Sequence, residues 1–237
     1  MMRFRNLLWV VFTTLSLTAF SQEVITNQYD AKGNRDGVWT GTHEKSKRLR
    51  YEGTFAHGKE TGIFKYFDDT KAGKLIATRD FSLGDGSCYV TYFDQKGNKV
   101  SHGLLNKDRE KQGEWKYYHK ESPIVMSVEN YNSGKLQGKV VVFYPEGNIA
   151  SESHYKDGIL EGVYKKYTKQ GFVIEEIPYV KGQFSGMVTY RDIKGRLYAQ
   201  GLYNKGLKTG IWKYYKDGKL DKEVDIEAEA LKRRAKK

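Results

Sequence analysis

The sequence predicts an all-β protein, an elongated single antiparallel meander or solenoid of about eight β-hairpin repeats with a period of about 24 residues, ending in a short C-terminal helix. Three observations predict it. Lead glycines recur at Gly37, Gly62, Gly86, Gly113, Gly138, Gly162, Gly186 and Gly210, at spacings of 25, 24, 27, 25, 24, 24 and 24 residues, a regularity that unrelated glycines do not produce. After these glycines, apolar and aromatic side chains alternate with other residues at period two, the pattern of a strand with one buried face. Finally, 25 glycines against three prolines, 18 tyrosines and only 38% hydrophobic residues describe many short strands and turns around a thin core, not a thick globular one.

Residues 1–21 stand apart from the repeats. Arg3 and Arg5 form a basic start, Leu7 to Phe20 an apolar run, and Ala19-Phe20-Ser21 a small-x-small cleavage site, which together read as a secretory signal peptide. The apolar run is shorter than the ~20 residues a membrane-spanning helix needs. The expectation is an exported chain, periplasmic or extracellular, beginning at Gln22 and without a transmembrane segment after cleavage. Cleavage removes two arginines and no acid from 41 basic and 29 acidic side chains, so the net charge falls from +12 to about +10. On an exported surface that charge points to anionic glycans, lipid headgroups or acidic proteins and away from nucleic acid. Cys88 is the single cysteine, which excludes an intramolecular disulfide, and its expected role is that of a small buried hydrophobe.

Residues 22–220 form the repeat domain. Four residues before the lead glycine a second one occurs at Gly33, Gly58, Gly134, Gly158, Gly182 and Gly206; the fourth unit has Arg109 there and the third is shortened, so these two units are degenerate. An aromatic residue precedes, assigned as Tyr51, Tyr131, Tyr155, Tyr179 and Tyr203, with Tyr29 and Phe81 in comparable places. A third glycine at Gly73, Gly97, Gly147, Gly171, Gly195 and Gly218 marks the turn inside each hairpin, and pairs such as Asp157-Gly158 and Asp217-Gly218 are hairpin chemistry. The second and fourth positions after the lead glycine share a face and form the expected core stripe: Phe64 and Tyr66, Trp115 and Tyr117, Val140 and Val142, Val188 and Tyr190, Trp212 and Tyr214. In the returning strand, Leu75, Ile149, Val173, Leu197 and Leu220 are expected to join these in continuous apolar rows. Pro178 removes a ladder donor and is expected at a bulge or break, while Pro123 falls in a unit that has lost its turn glycine.

After Leu220 the pattern stops. Residues 221–237 turn from acidic to basic, with Val224, Ala228, Leu231 and Ala235 at near-helical spacing, and read as a terminal helix or basic tail whose apolar stripe covers the last sheet edge.

The unit is clearest from Tyr203 to Leu220, where Tyr203, Gly206, Gly210, Trp212, Tyr214, Gly218 and Leu220 mark its fixed positions. In this form it resembles the MORN repeat, and more narrowly the bacterial variant labelled an antitoxin component of toxin-antitoxin systems. The resemblance covers roughly Tyr29 to Leu220. It implies stacked β-hairpins serving as scaffolds for protein contacts, with membrane or phosphoinositide association in some eukaryotic members, and it brings no catalytic residues. An antitoxin role fits poorly with a signal peptide.

The candidate surface lies opposite the core stripe, at the third and fifth positions after the lead glycine: Lys65 and Phe67, Lys116 and Tyr118, Lys165 and Tyr167, Lys213 and Tyr215. Such a lysine-aromatic ladder suits an acidic protein or an anionic polymer, glycan or headgroup through charge and stacking; its plainer reading is a solubilising outer face with cross-strand pairs. The five histidines occupy mixed phases, only His43 and His119 sharing one, and Glu175 and Glu176 point to opposite faces. No metal site, cofactor or catalytic set is therefore expected. The sequence reading is a non-enzymatic envelope scaffold for an unknown protein partner, with a binder of anionic envelope polymer, glycan or lipid headgroups through the lysine-tyrosine face, or an antitoxin-like component of a toxin-antitoxin pair, as the alternatives.

Overall fold

The computed structural model describes residues 26–235, so the signal peptide read at residues 1–21 lies outside the described residues. The turns set the fold. Two-residue hairpin loops need positive φ at both positions, and His57-Gly58, Ser133-Gly134, Asp157-Gly158, Lys181-Gly182, Lys205-Gly206 and Asp217-Gly218 all adopt it, at 45–53° and then 77–83°. Arg109, which replaces the glycine of the fourth unit, still takes φ 64°. Its guanidinium lies 4.8 Å over Phe81 and binds the Glu60 carboxylate and the Gly86 carbonyl, contacts that hold a conformation its side chain disfavours.

The strands form one antiparallel open sheet in meander order. The first units comprise β1 (Gln28–Tyr29), β2 (Arg35–Thr42), β3 (Leu49–Ala56), β4 (Lys59–Phe67) and β5 (Leu75–Asp80). The degenerate third and fourth units contribute β6 (Cys88–Phe93), β7 (Lys99–Leu105), β8 (Lys111–Tyr118) and β9 (Val125–Asn132) without interrupting the sheet. Next come β10 (Lys135–Leu136), β11 (Gly138–Phe143), β12 (Ile149–Lys156), β13 (Ile159–Leu160), β14 (Gly162–Tyr167) and β15 (Val173–Val180). The chain closes with β16 (Gln183–Phe184), β17 (Gly186–Arg191), β18 (Leu197–Asn204), β19 (Leu207–Lys216), β20 (Lys219–Asp225) and α1 (Ile226–Arg234). The short β10, β13 and β16 are the first pieces of strands that continue as β11, β14 and β17 beside the same neighbour.

Each hairpin also carries a bulge. Its returning strand inserts one residue without a partner, at Arg50, Ile76, Val100, Met126, Ala150, Ile174, Tyr198 and Asp221, and such bulges bend strands and increase twist.

The core is an aromatic layer on one face. Phe64, Trp115 and Trp212 are 1% exposed and Val188 0%, and one cluster links Trp39, Phe55, Phe64, Phe81, Cys88, Val90, Leu105 and Trp115, with Tyr66 and Tyr117 packed against it. Rings fit because glycines lie under them. An ideal Cβ on Gly53, Gly103 or Gly201 sits 2.3–2.5 Å from the nearest ring atom of Phe64, Trp115 or Trp212, so only glycine admits those rings. Where the ring is replaced by Val188, the equivalent strand position holds Ile177.

Four expectations need correction. The aromatic of the second unit is Phe55, buried and paired with Gly37, three residues before Gly58 like its counterparts; Tyr51 faces Gly41 and Tyr66 instead. Leu75, Ile149, Val173, Leu197 and Leu220 pair with Phe67, Phe143, Tyr167, Arg191 and Tyr215, which places them on the face opposite the aromatic core; the residues opposite Tyr66 and Tyr190 are the small Ala77 and Ala199. Pro178 stays in register with Val163, and the local break falls on the neighbouring strand between β16 and β17, where Ser185 donates to the Pro178 carbonyl at 2.9 Å.

The fourth concerns the tail. The sheet continues to Asp225, because Lys222 and Val224 complete the eighth hairpin opposite Tyr214 and Trp212, so Val224 is a strand residue and not part of a helical stripe. Helix α1 then starts at Ile226, capped by the Asp225 carboxylate, which accepts from the Ala228 amide at 2.9 Å. It buries none of its residues and is tied to the sheet by the Glu227 carboxylate, which accepts from the Gly210 amide at 2.9 Å.

Candidate interaction surface

The register places Lys65, Lys116, Lys165 and Lys213 in one row that runs through direct cross-strand partners from Thr40 on β2 to Glu223 on β20. The four lysines are ion-paired within the sheet: Lys65 to Glu52 at 2.8 Å, Lys116 to Glu114 at 3.1 Å, Lys165 to Glu176 at 3.7 Å and Lys213 to Glu223 at 3.3 Å. Exposed pairs of this kind contribute ~0–1 kcal/mol each, so they set surface pattern more than stability. Phe67, Tyr118, Tyr167 and Tyr215 lie along the same face, opposite Leu75, Val125, Val173 and Leu220. The three tyrosine hydroxyls are engaged too. Tyr118 meets His102 Nδ1 at 3.2 Å, Tyr167 donates to Glu152 at 2.7 Å, and Tyr215 accepts from Gln200 at 3.0 Å. Burial, with the bond to Glu152, pushes the Tyr167 phenol up to about 12. The eight residues are brought onto one face, where the lysines and tyrosines form a self-paired polar network and Phe67 stands opposite Leu75.

Two residues nearer the lead glycine on this outer face runs a second row, which in the last three units is apolar from β14 to β19 and ends at Asp225, the partner of Ile211 on β20. Val163 pairs with Pro178 and Met187 with Leu202, while Ile211 follows on β19. Met187 is 53% exposed and Ile211 56%, with Val163 and Leu202 above two-fifths. Upstream the same positions alternate with Thr54, Asp80, Glu114, Asn130 and Lys139, so continuity is confined to one end of the sheet. Past this row, Val180 and Leu207 are also exposed. Contiguous exposed apolar rows rimmed by polar residues mark contact sites.

The aromatic face carries cations that sequence reasoning overlooked. Lys111 Nζ lies 4.8 Å from the Trp115 and Tyr131 ring centroids and 5.0 Å from Tyr117, Lys208 Nζ lies 3.8 Å from Trp212, and the Arg35 guanidinium 4.7 Å from Trp39. Each sits two residues before a lead glycine whose unit has tryptophan two residues after it; units with Val140, Tyr164 or Val188 have Leu136, Leu160 or Phe184 in that place. That covariation was the available signal. Near the N-terminal units, Arg35, Arg50, Tyr51, Phe55, Glu60, Phe64 and Tyr66 line an open depression of about 410 Å³. The two histidines of shared phase make the same contact, His43 Nε2 to the Phe67 carbonyl at 3.1 Å and His119 Nε2 to the Phe143 carbonyl at 3.0 Å. Among the described residues no three His, Cys, Asp or Glu side chains converge as a metal site would require.

No family model matches the sequence, and no curated protein does. A crystal structure of a protein of unknown function from Bacteroides fragilis aligns with 81% of this chain and 94% of its own at 8% identity, with a TM-score of 0.11, a likeness too slight to bear on fold or function.

Proposed function

We propose that the chain is a MORN-like, non-catalytic scaffold that acts at the cell envelope after export and binds a protein partner through the outer face of its last three units. The observation that carries this is the apolar strip formed by the pairs Val163–Pro178 and Met187–Leu202 together with Ile211, flanked by the paired charges of Lys165, Glu176, Lys213 and Glu223. An apolar strip with a polar rim is the composition of protein interfaces. The basic start and apolar run of residues 1–21 support export. The test is cross-linking of the chain in envelope fractions, with Met187→Asp and Leu202→Asp introduced together. Loss of a defined protein adduct with the fold intact supports the reading; an adduct unchanged by the pair overturns it.

A second reading is binding of an anionic glycan or lipid headgroup at the aromatic-face depression. It rests on Arg35 and Arg50, whose guanidiniums lie over Trp39, Phe55 and Tyr51 at 4.7–5.6 Å. Cosedimentation with anionic vesicles, abolished by Arg35→Ala with Arg50→Ala but not by the outer-face pair, distinguishes it.

A further inference from the structure

The outer face of the last three units is complementary to itself. Through direct register partners, the charged row across β14, β15, β17, β18, β19 and β20 reads Lys165, Glu176, Thr189, Gln200, Lys213, Glu223. A two-fold axis lying between two facing sheets, parallel to the strands and passing between β17 and β18, reverses the strand order and keeps each row over itself. Lys165 then meets Glu223 of a second copy, Glu176 meets Lys213, and Thr189 meets Gln200. Opposite charges coincide at every charged position, the self-complementarity an isologous contact requires.

The same axis matches the centre of the next row. Met187 falls over Leu202 of the second copy and Pro178 over Ile211, both apolar on apolar, while at the outer edge of the contact Val163 meets Asp225. Further along the strands, Val180 pairs with Gln183 and Asn204 with Leu207; reversal sets Val180 against Leu207 and Gln183 against Asn204. Sheets packed face to face lie ~10 Å apart, which these side chains span, and the six strands cover roughly 24 Å.

We infer that the protein partner of this surface is a second copy of the chain, docked face to face about an axis between β17 and β18. This rests on the outer-face reading above and specifies its occupant. The aromatic faces point away from the contact in such a pair, leaving the depression at Arg35 and Arg50 open on both copies.

Intrachain and interchain pairing predict opposite results for two charge exchanges. Within one chain Lys165 pairs with Glu176 and Lys213 with Glu223. Lys165→Glu with Glu176→Lys preserves the former pair but sets like charges together across the axis. Glu176→Lys with Lys213→Glu breaks both intrachain pairs yet restores every contact across the axis. The full chain and both variants are compared by sedimentation equilibrium, with circular dichroism reporting the fold. The expected result is dimerisation of the wild type, dissociation strengthened at least about tenfold by the first exchange, and a constant within about threefold for the second. A wild type monomeric throughout, or association indifferent to both exchanges, overturns the inference.

A covalent check needs no repulsive surface. Lys165 and Glu223 stand five strands apart in one chain, about 24 Å, but only the ~10 Å between facing sheets across the axis, so a short bismaleimide linking Lys165→Cys to Glu223→Cys joins two chains. Covalent dimer on treatment with the short linker is expected, and monomer alone overturns the inference. A monomeric chain whose envelope adduct is still lost with Met187→Asp and Leu202→Asp sinks this inference while leaving the proposed function standing; loss of neither sinks both.

Discussion

Replacing Gly201 by isoleucine attacks the aromatic layer at its tightest point. A Cβ there lies 2.4 Å from Cδ2 and Cε2 of Trp212, and the indole is held on its other sides by Tyr203 at 5.3 Å and Lys208 at 3.8 Å. It is 1% exposed, so the ring must leave its site or the strands must part. Overpacking of this kind costs ~1–3 kcal/mol, and loss of the indole bond to the Leu202 carbonyl, 3.2 Å in the native fold, adds ~1 kcal/mol. With a urea slope of ~2 kcal/mol/M, the midpoint followed by far-ultraviolet circular dichroism falls by roughly 1–2 M. The decisive variant combines Gly201→Ile with Trp212→Val, which recreates the Ile177 and Val188 pair found 24 residues earlier, where both side chains are buried. The double variant loses at least ~1 kcal/mol less than the two single losses together. Strict additivity, or a harmless Gly201→Ile, refutes the fit of ring to glycine.

Further outcomes follow from the same geometry. Lys111→Ala uncovers Trp115, Tyr117 and Tyr131 and lowers stability by ~1–2 kcal/mol, whereas Lys111→Leu, which copies Leu136 and Leu160, stays near wild type in the same urea titration. Asp30 is held at about 2 by bonds from the Asn34 amide and side chain, and Asp68 at about 2 by the Thr70 hydroxyl. Folding depresses both values, so their stabilisation is complete above the ordinary aspartate range near 4 and is lost as pH falls towards 2. Thermal melts should drop across that window and flatten when Asp30→Asn is combined with Asp68→Asn; equal slopes refute the assignment. Cys88 is 0% exposed and burial pushes its thiol up, so a disulfide reagent labels it at neutral pH only at the rate of unfolding; immediate labelling of the native chain contradicts the buried third unit.

The repeat was legible because its marks are backbone requirements: positive φ at Gly58, Gly134 or Gly206 admits few residues, so the glycines recur in sequence as they do in space. The first core position of each unit was legible too, since Phe64, Trp115 and Trp212 keep a period-two pattern. What escaped depends on contacts between neighbouring units. The returning strand's bulge shifts register by one residue, and that shift decides which face Leu75 or Leu220 occupies. The glycine beneath Trp212 belongs to the preceding strand, eleven residues away, outside the unit as read from one copy. The final strand was hidden because Asp221, Lys222 and Glu223 are charged, yet Lys222 reaches over the Tyr214 ring at 5.2 Å and Glu223 pairs with Lys213. For the surface, Lys213 and Tyr215 were placed on the correct side, but their partners, and the apolar row beside them, emerge only from the register.

Hydroxyl-radical footprinting of the chain at low and high concentration tests most directly the division between an aromatic structural face and an outer contact face. Trp39, Trp115 and Trp212 should be protected at both concentrations, with Met187 and Ile211 oxidised readily when dilute and protected when concentrated. Oxidation of the tryptophans at the rate of free side chains, or of Met187 at one rate throughout, contradicts that division.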